Sequence, residues 1–103
     1  MKLREARKLF DKLRVESWRI VLTFHVLHDH PERGFTADTL VSLVQGTGRL
    51  ADNKMPSAID DSFLWLCKDH ADRACELVVK FSPLDETPGE LVLVISAFRE
   101  VLR

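Results

Sequence analysis

Apolar residues recur along the first quarter of the chain as Leu3, Ala6, Phe10, Leu13, Ile20, Phe24 and Leu27, with the polar Ser17 in step between them. The steps alternate three and four, the spacing that lines one face of an α-helix. Such a stripe needs a surface to cover it, either the rest of this chain or a second copy. Up to Arg14 the other faces carry charge. From Trp18 to Leu27 apolar residues stand nearly all round, with Trp18, Ile20, Val21, Leu22, Phe24, Val26 and Leu27. The pattern predicts one long helix, or two nearly continuous ones, with a surface half and a core half. His30 and Pro31 end it, because a residue before proline is biased out of helix.

A length of 103 residues fits one domain, here a basic helical arm over 1–14 on a body over 15–103. A hydrophobic share of 46% and a charged share of 30% describe a globular chain. Downstream, Thr36 is a good N-cap, Phe35 and Leu40 occupy the hydrophobic-staple positions, and Gly46 suits a left-handed C-cap. These bound a short helix over 37–45. Residues 46–56 read as a polar loop. Ser57 caps a third helix over 57–70, with Asp60 and Asp61 in its first turn and a stripe of Ile59, Phe63, Leu66 and Cys67. "ELVVKFS" at 76–82 and "ELVLVIS" at 90–96 are β-branched runs that read as a hairpin, followed by a short helix or tail over 97–103. A rival reading starts a helix near Thr87 and runs it to Leu102. The fold expected is α+β and predominantly helical, winged-helix-like. An all-α four-helix bundle is the alternative.

The order of helix, short helix, helix and hairpin resembles a winged helix-turn-helix over roughly residues 16–96. That resemblance implies that helix 57–70 is a recognition helix lying in a major groove. Its outward positions are Asp60, Asp61, Trp65, Lys68, Asp69 and, just beyond, Asp72. Aspartates repel phosphate, and no Arg, Asn or Gln stands there to read base edges. A formal net charge of −1 also disfavours a general polyanion binder. The expectation is therefore a non-enzymatic regulatory or adaptor module that works through protein contacts and self-associates. Leu3, Ala6, Phe10 and Leu13 would form one interface. Asp61, Trp65, Lys68 and Asp69 would form another, with Trp65 as its hot spot. The alternative is a DNA-binding regulator. Residues 1–20 carry a net charge of +4 against −5 for the remainder. Lys2, Arg4, Arg7, Lys8, Lys12 and Arg14, with Arg49, Lys54 and Lys80, would then meet phosphates.

"TFHVLHDHPERG" at 23–34 sets three histidines and an aspartate within six positions. On a helix His25 and Asp29 share a face, His28 points elsewhere and His30 lies past the end. Zinc requires three or four convergent ligands, so this run reads as a polar helix terminus, not a metal site. Cys67 and His70 could be imagined as a nucleophile pair, but Cys67 sits on the apolar stripe. "GTG" at 46–48 lacks the Lys-Ser/Thr sequel of a phosphate loop. No cofactor and no catalytic residue is expected. The charged start "MKLREARKLF" and the lack of a ~20-residue apolar run argue against a leader or a membrane span. Two cysteines are too few for a disulfide scaffold, which makes a cytoplasmic protein with reduced thiols the expectation.

Overall fold

The computed structural model describes residues 1–28, 36–54, 62–84 and 89–100. Alternation with a period of two organises more of the described residues than the helical three-and-four does. The elements run α1 (Leu3–Leu13), a 3₁₀ turn (Ser17–Arg19), β1 (Ile20–Leu22), α2 (Phe24–His28), α3 (Ala37–Gln45), β2 (Gly48–Asp52), β3 (Ser62–Lys68), β4 (Ala74–Pro83) and β5 (Leu91–Glu100). The five strands form one sheet in the order β1-β5-β4-β3-β2. β1 pairs parallel with β5, and the other neighbours are antiparallel.

Alternate strand residues point to one face, and those are the large apolar ones. Phe63, Trp65 and Cys67 on β3, Cys75, Leu77, Val79 and Phe81 on β4, and Leu93, Ile95 and Phe98 on β5 are all buried there. The step of three from Ile95 to Phe98 is absorbed by a register shift. Val79 pairs with Ile95 and Val78 with Ala97, which leaves Ser96 as the extra residue of a bulge. The helices cover this same face. Ala6, Phe10 and Leu13 of α1, Val26 of α2, and Leu40 and Val44 of α3 join one core cluster with the inward strand residues. The Phe10 and Trp65 rings meet with centroids 4.6 Å apart.

The expected fold is overturned. The chain is a mixed α+β structure around a five-stranded sheet, neither predominantly helical nor winged-helix-like, and not a four-helix bundle. The long first helix stops at Leu13. Beyond it Ile20 and Leu22 enter the core side while Val21 points away, the period of a strand. The third helix is instead strand β3. Phe63, Trp65 and Cys67 are two apart, and aromatic residues favour the pleated surface. The span read as a polar loop contains β2, paired to β3 from Gly48 to Asp52. The hairpin reading of the last runs agrees with β4 and β5, but residues 97–100 continue the strand, not a helix.

α3 spans the residues expected of it, and Thr36 caps it by accepting from the Thr39 N–H. Phe35, the proposed staple partner, lies outside the described residues. Gly46 is extended, at φ −83°, not left-handed. The end of α3 is closed instead by Arg14, whose guanidinium donates to the carbonyls of Val44 and Gly46. Gln45 returns a bond from its side-chain amide to the Arg14 carbonyl. Each helix thus caps the other's C-terminus.

The two sheet edges differ. At β2, Arg7 Nε donates to the Leu50 carbonyl at 3.0 Å, a guard on that edge. β1, at the other edge, is only three residues long. Among the described residues no helix is long and apolar enough to cross a membrane.

Candidate functional site

Among the described residues most apolar side chains are buried or half-buried, which isolates the few that stay out. Among the described residues the large exposed apolar side chains are Met1, Val15, Trp18, Val21 and Phe24. Trp18, Val21 and Phe24 fall on or beside the edge strand β1, and are 56%, 42% and 78% exposed. Apolar side chains exposed close together in one region mark a contact surface more often than a single exposed one does.

Trp18 is held in place although it is exposed. Its indole N–H donates to Glu16 Oε2 at 2.8 Å, and the Arg19 guanidinium stacks 4.2 Å from its ring centroid. Arg19 is itself anchored. It donates to the Leu91 carbonyl at 2.9 Å and pairs with Glu90 and Glu16. Glu90 foremost, and then Glu16, raise the Arg19 pKa further above its already high ordinary value, against the opposing effect of burial. Phe24 stacks on His28, with ring centroids 4.1 Å apart. The result is a pair of exposed aromatic rings, one before and one after β1 in the chain, each in contact with a neighbouring side chain.

Val21 continues the site onto the sheet face away from the helices. There it neighbours Val94, which neighbours Lys80. Leu64 and Val78 pair on the same face and are half-buried. The Glu76–Arg99 ion pair, at 3.3 Å, lies along it.

The first proposed interface lies in the core. Ala6, Phe10 and Leu13 are buried and Leu3 is packed against them, so this stripe meets the sheet of its own chain. In the second set, Trp65 is 2% exposed and donates its indole N–H to the Leu43 carbonyl at 2.8 Å. Asp69 is buried in the β3–β4 turn, where its Oδ1 accepts from the Ala71 and Arg73 N–H groups. Burial alone would raise its pKa. The two N–H bonds and the Arg73 charge outweigh that and hold the carboxyl below the ordinary carboxylate value. Lys68 is exposed and reaches Asp72 at 3.6 Å. Asp61 lies outside the described residues.

The basic residues are divided. Lys2, Arg4, Lys8 and Lys12 are exposed on the outer side of α1, and Arg49 and Lys54 are exposed near β2. Arg7 and Arg14 are engaged as described, and Lys80 is half-buried on the sheet. His25 and His28 are exposed on α2, while Asp29 and His30 lie outside the described residues. No group of three or more potential metal ligands converges among the described residues. The thiol opposite Cys67 is that of Cys75, with their sulfurs 3.3 Å apart.

Trp18 and Phe24 were missed because a helical reading put both inside. The signal that would have found them is the strand period of Ile20, Val21 and Leu22. It breaks the helix and strands both aromatics at its ends. Comparison with protein-family models, curated proteins and solved structures gives no significant match.

Proposed function

We propose that this chain is a non-enzymatic interaction module that binds a partner protein along its β1 edge. The observation that carries the reading is the exposure of Trp18, Val21 and Phe24 around a terminal strand. An extended partner segment laid beside β1 would continue the sheet, and its side chains would meet the two aromatic rings. Trp18 is already ordered by Glu16 and Arg19, which lowers the entropy cost of binding. Where the partner is a second copy, self-association runs edge to edge, not through α1. A cytoplasmic setting is part of the proposal.

The test places a photo-crosslinking amino acid at position 24, and at the exposed Asp38 as a control. The expected result is one defined cross-linked species, a homodimer or a single partner, formed from position 24 only and lost in Trp18→Glu. Equal labelling from both positions rejects the surface.

A second reading has one observation in its favour. Lys2, Arg4, Lys8 and Lys12 are exposed together on α1, while Asp69, expected to repel phosphate, is buried in a turn. Nucleic acid would then lie along α1, with no recognition helix involved. Duplex binding that falls steeply with salt and disappears in Lys8→Glu, Lys12→Glu supports it. No binding at low salt rejects it.

A further inference from the structure

Arg49 on β2, Leu66 on β3 and Glu76 on β4 stand in one row across the sheet, and Lys68 with Ala74 forms the next row. Directly paired residues share a face, and neighbours along a strand alternate. Trp65, Cys67 and Cys75, one position along from these rows, are buried in the core with the helices. Both rows therefore lie on the opposite face, which the helices leave uncovered.

A surface groove of 740 Å³ runs over this part of the open face. Its lining includes half-buried Leu66 and Ala74 and the exposed cations Arg49 and Lys68. The volume suits a small molecule. The charges beside it do not cancel. Glu76 pairs with Arg99 at 3.3 Å, and Lys68 with Asp72 at 3.6 Å. Arg49 makes no ion pair among the described residues. One guanidinium is left over, next to an ammonium held only by an exposed pair that contributes little in water. A guanidinium takes a carboxylate through two parallel N–H bonds.

The apolar part of the groove offers nothing polar. β3 lies between β2 and β4, so its N–H and C=O groups are spent in two ladders. A peptide laid there would find no main-chain partner on β3, whereas a hydrocarbon chain needs none. Leu64 and Val78 form the following row of the same face, both half-buried, and extend the apolar lane. From the Lys68 row to the Leu64 row is about 13 Å along β3, which sets a chain of roughly ten carbons.

We propose that this groove binds a free single-chain fatty acid of medium length, its carboxylate on Arg49 and Lys68 and its chain over Leu66 and Ala74 toward Leu64. One leftover guanidinium and one apolar lane match one carboxylate and one chain. The site lies at the β2 end of the sheet, away from β1, and is independent of the contact surface proposed there.

The experiment titrates isotope-labelled protein with decanoate below its micelle concentration and follows the amide shifts by nuclear magnetic resonance. Saturable shifts are expected at residues 47–49, 66–68 and 74–75. Each methylene added between octanoate and dodecanoate should tighten binding about two- to fourfold. Arg49→Glu should weaken decanoate several-fold, while Arg4→Glu, an equal charge change at an exposed site on α1, leaves it unaltered. Leu66→Thr should flatten the dependence on chain length. Absence of saturable shifts, shifts centred on Trp18 and Phe24, equal affinity for decyltrimethylammonium, no gain with chain length, an unaltered affinity in Arg49→Glu, or binding confined to anionic phospholipid vesicles would each overturn the proposal. Circular dichroism of each variant confirms that it is folded before its affinity is read.

Discussion

The indole N–H of Trp65 reaches the carbonyl of Leu43 at 2.8 Å and ties the middle of β3 to the last turn of α3. Around this bond, Phe10 packs on the indole ring and Arg14 lies 4.9 Å from its centroid. One side chain thus joins α1, α3 and the sheet. Trp65→Phe keeps an aromatic ring, though a smaller one, and leaves the Leu43 carbonyl without that donor. It should cost about 1–3 kcal/mol in urea unfolding, through a lower midpoint at an unchanged slope.

Gly48 is fixed by the same tryptophan. A Cβ there would stand 2.7 Å from the indole ring and 2.5 Å from the Leu66 carbonyl. Neither neighbour can retreat, one being buried and the other backbone. Gly48→Ala should destabilise by about 1–3 kcal/mol, the usual cost of overpacking. Near-ultraviolet circular dichroism should show a changed tryptophan band, and an unchanged band and midpoint would refute the contact.

Asp69 sets a pH window. Its pKa is depressed in the folded protein, so its contribution is present above the ordinary carboxylate value, about 3.9, and is lost as pH falls through the folded value. Asp69→Asn should therefore lower Tm at pH 7. The gap from wild type should close progressively below about pH 4. A gap that stays constant down to pH 2.5 would mean that the charge plays no part.

Phe10 and Phe24 should respond oppositely to truncation. Phe10→Ala empties the centre of the core and should cost about 3–5 kcal/mol. Phe24→Ala removes a ring that is 78% exposed and should shift stability by less than about 0.5 kcal/mol. Chemical denaturation of the two variants decides this. A large loss at Phe24 would show that the ring is structural, and would remove it from the contact surface.

What could be read from sequence was whatever depended on neighbours close in the chain. The capped helix from Ala37 to Gln45 and the two β-branched runs of β4 and β5 carry their signals locally. The stripe from Leu3 to Leu13 also gave a true helix with a buried face. What failed was the choice of period. Ile59, Phe63 and Leu66 satisfy a helical spacing while Phe63, Trp65 and Cys67 satisfy a strand, and only the pairing of β3 with β2 and β4 decides between them. The contact surface suffered from the same ambiguity. Trp18 looked internal on a helix, whereas its position outside follows from the parallel pairing of β1 with a strand 73 residues later, as in Ile20 with Leu93. The cysteine pair was hidden for a related reason, because an eight-residue separation says nothing until the turn at Asp69 brings the strands together.

β5 lies between β4 and β1, so the last of these five strands in chain order is an interior one, beside the β1 edge. During synthesis β2, β3 and β4 can assemble as a meander, but residues 20–22 have no neighbour to join until residues 91–100 have left the ribosome. Until then the segment bearing Trp18 and Phe24 trails from an unfinished sheet, and a chaperone or a premature partner would meet it there first.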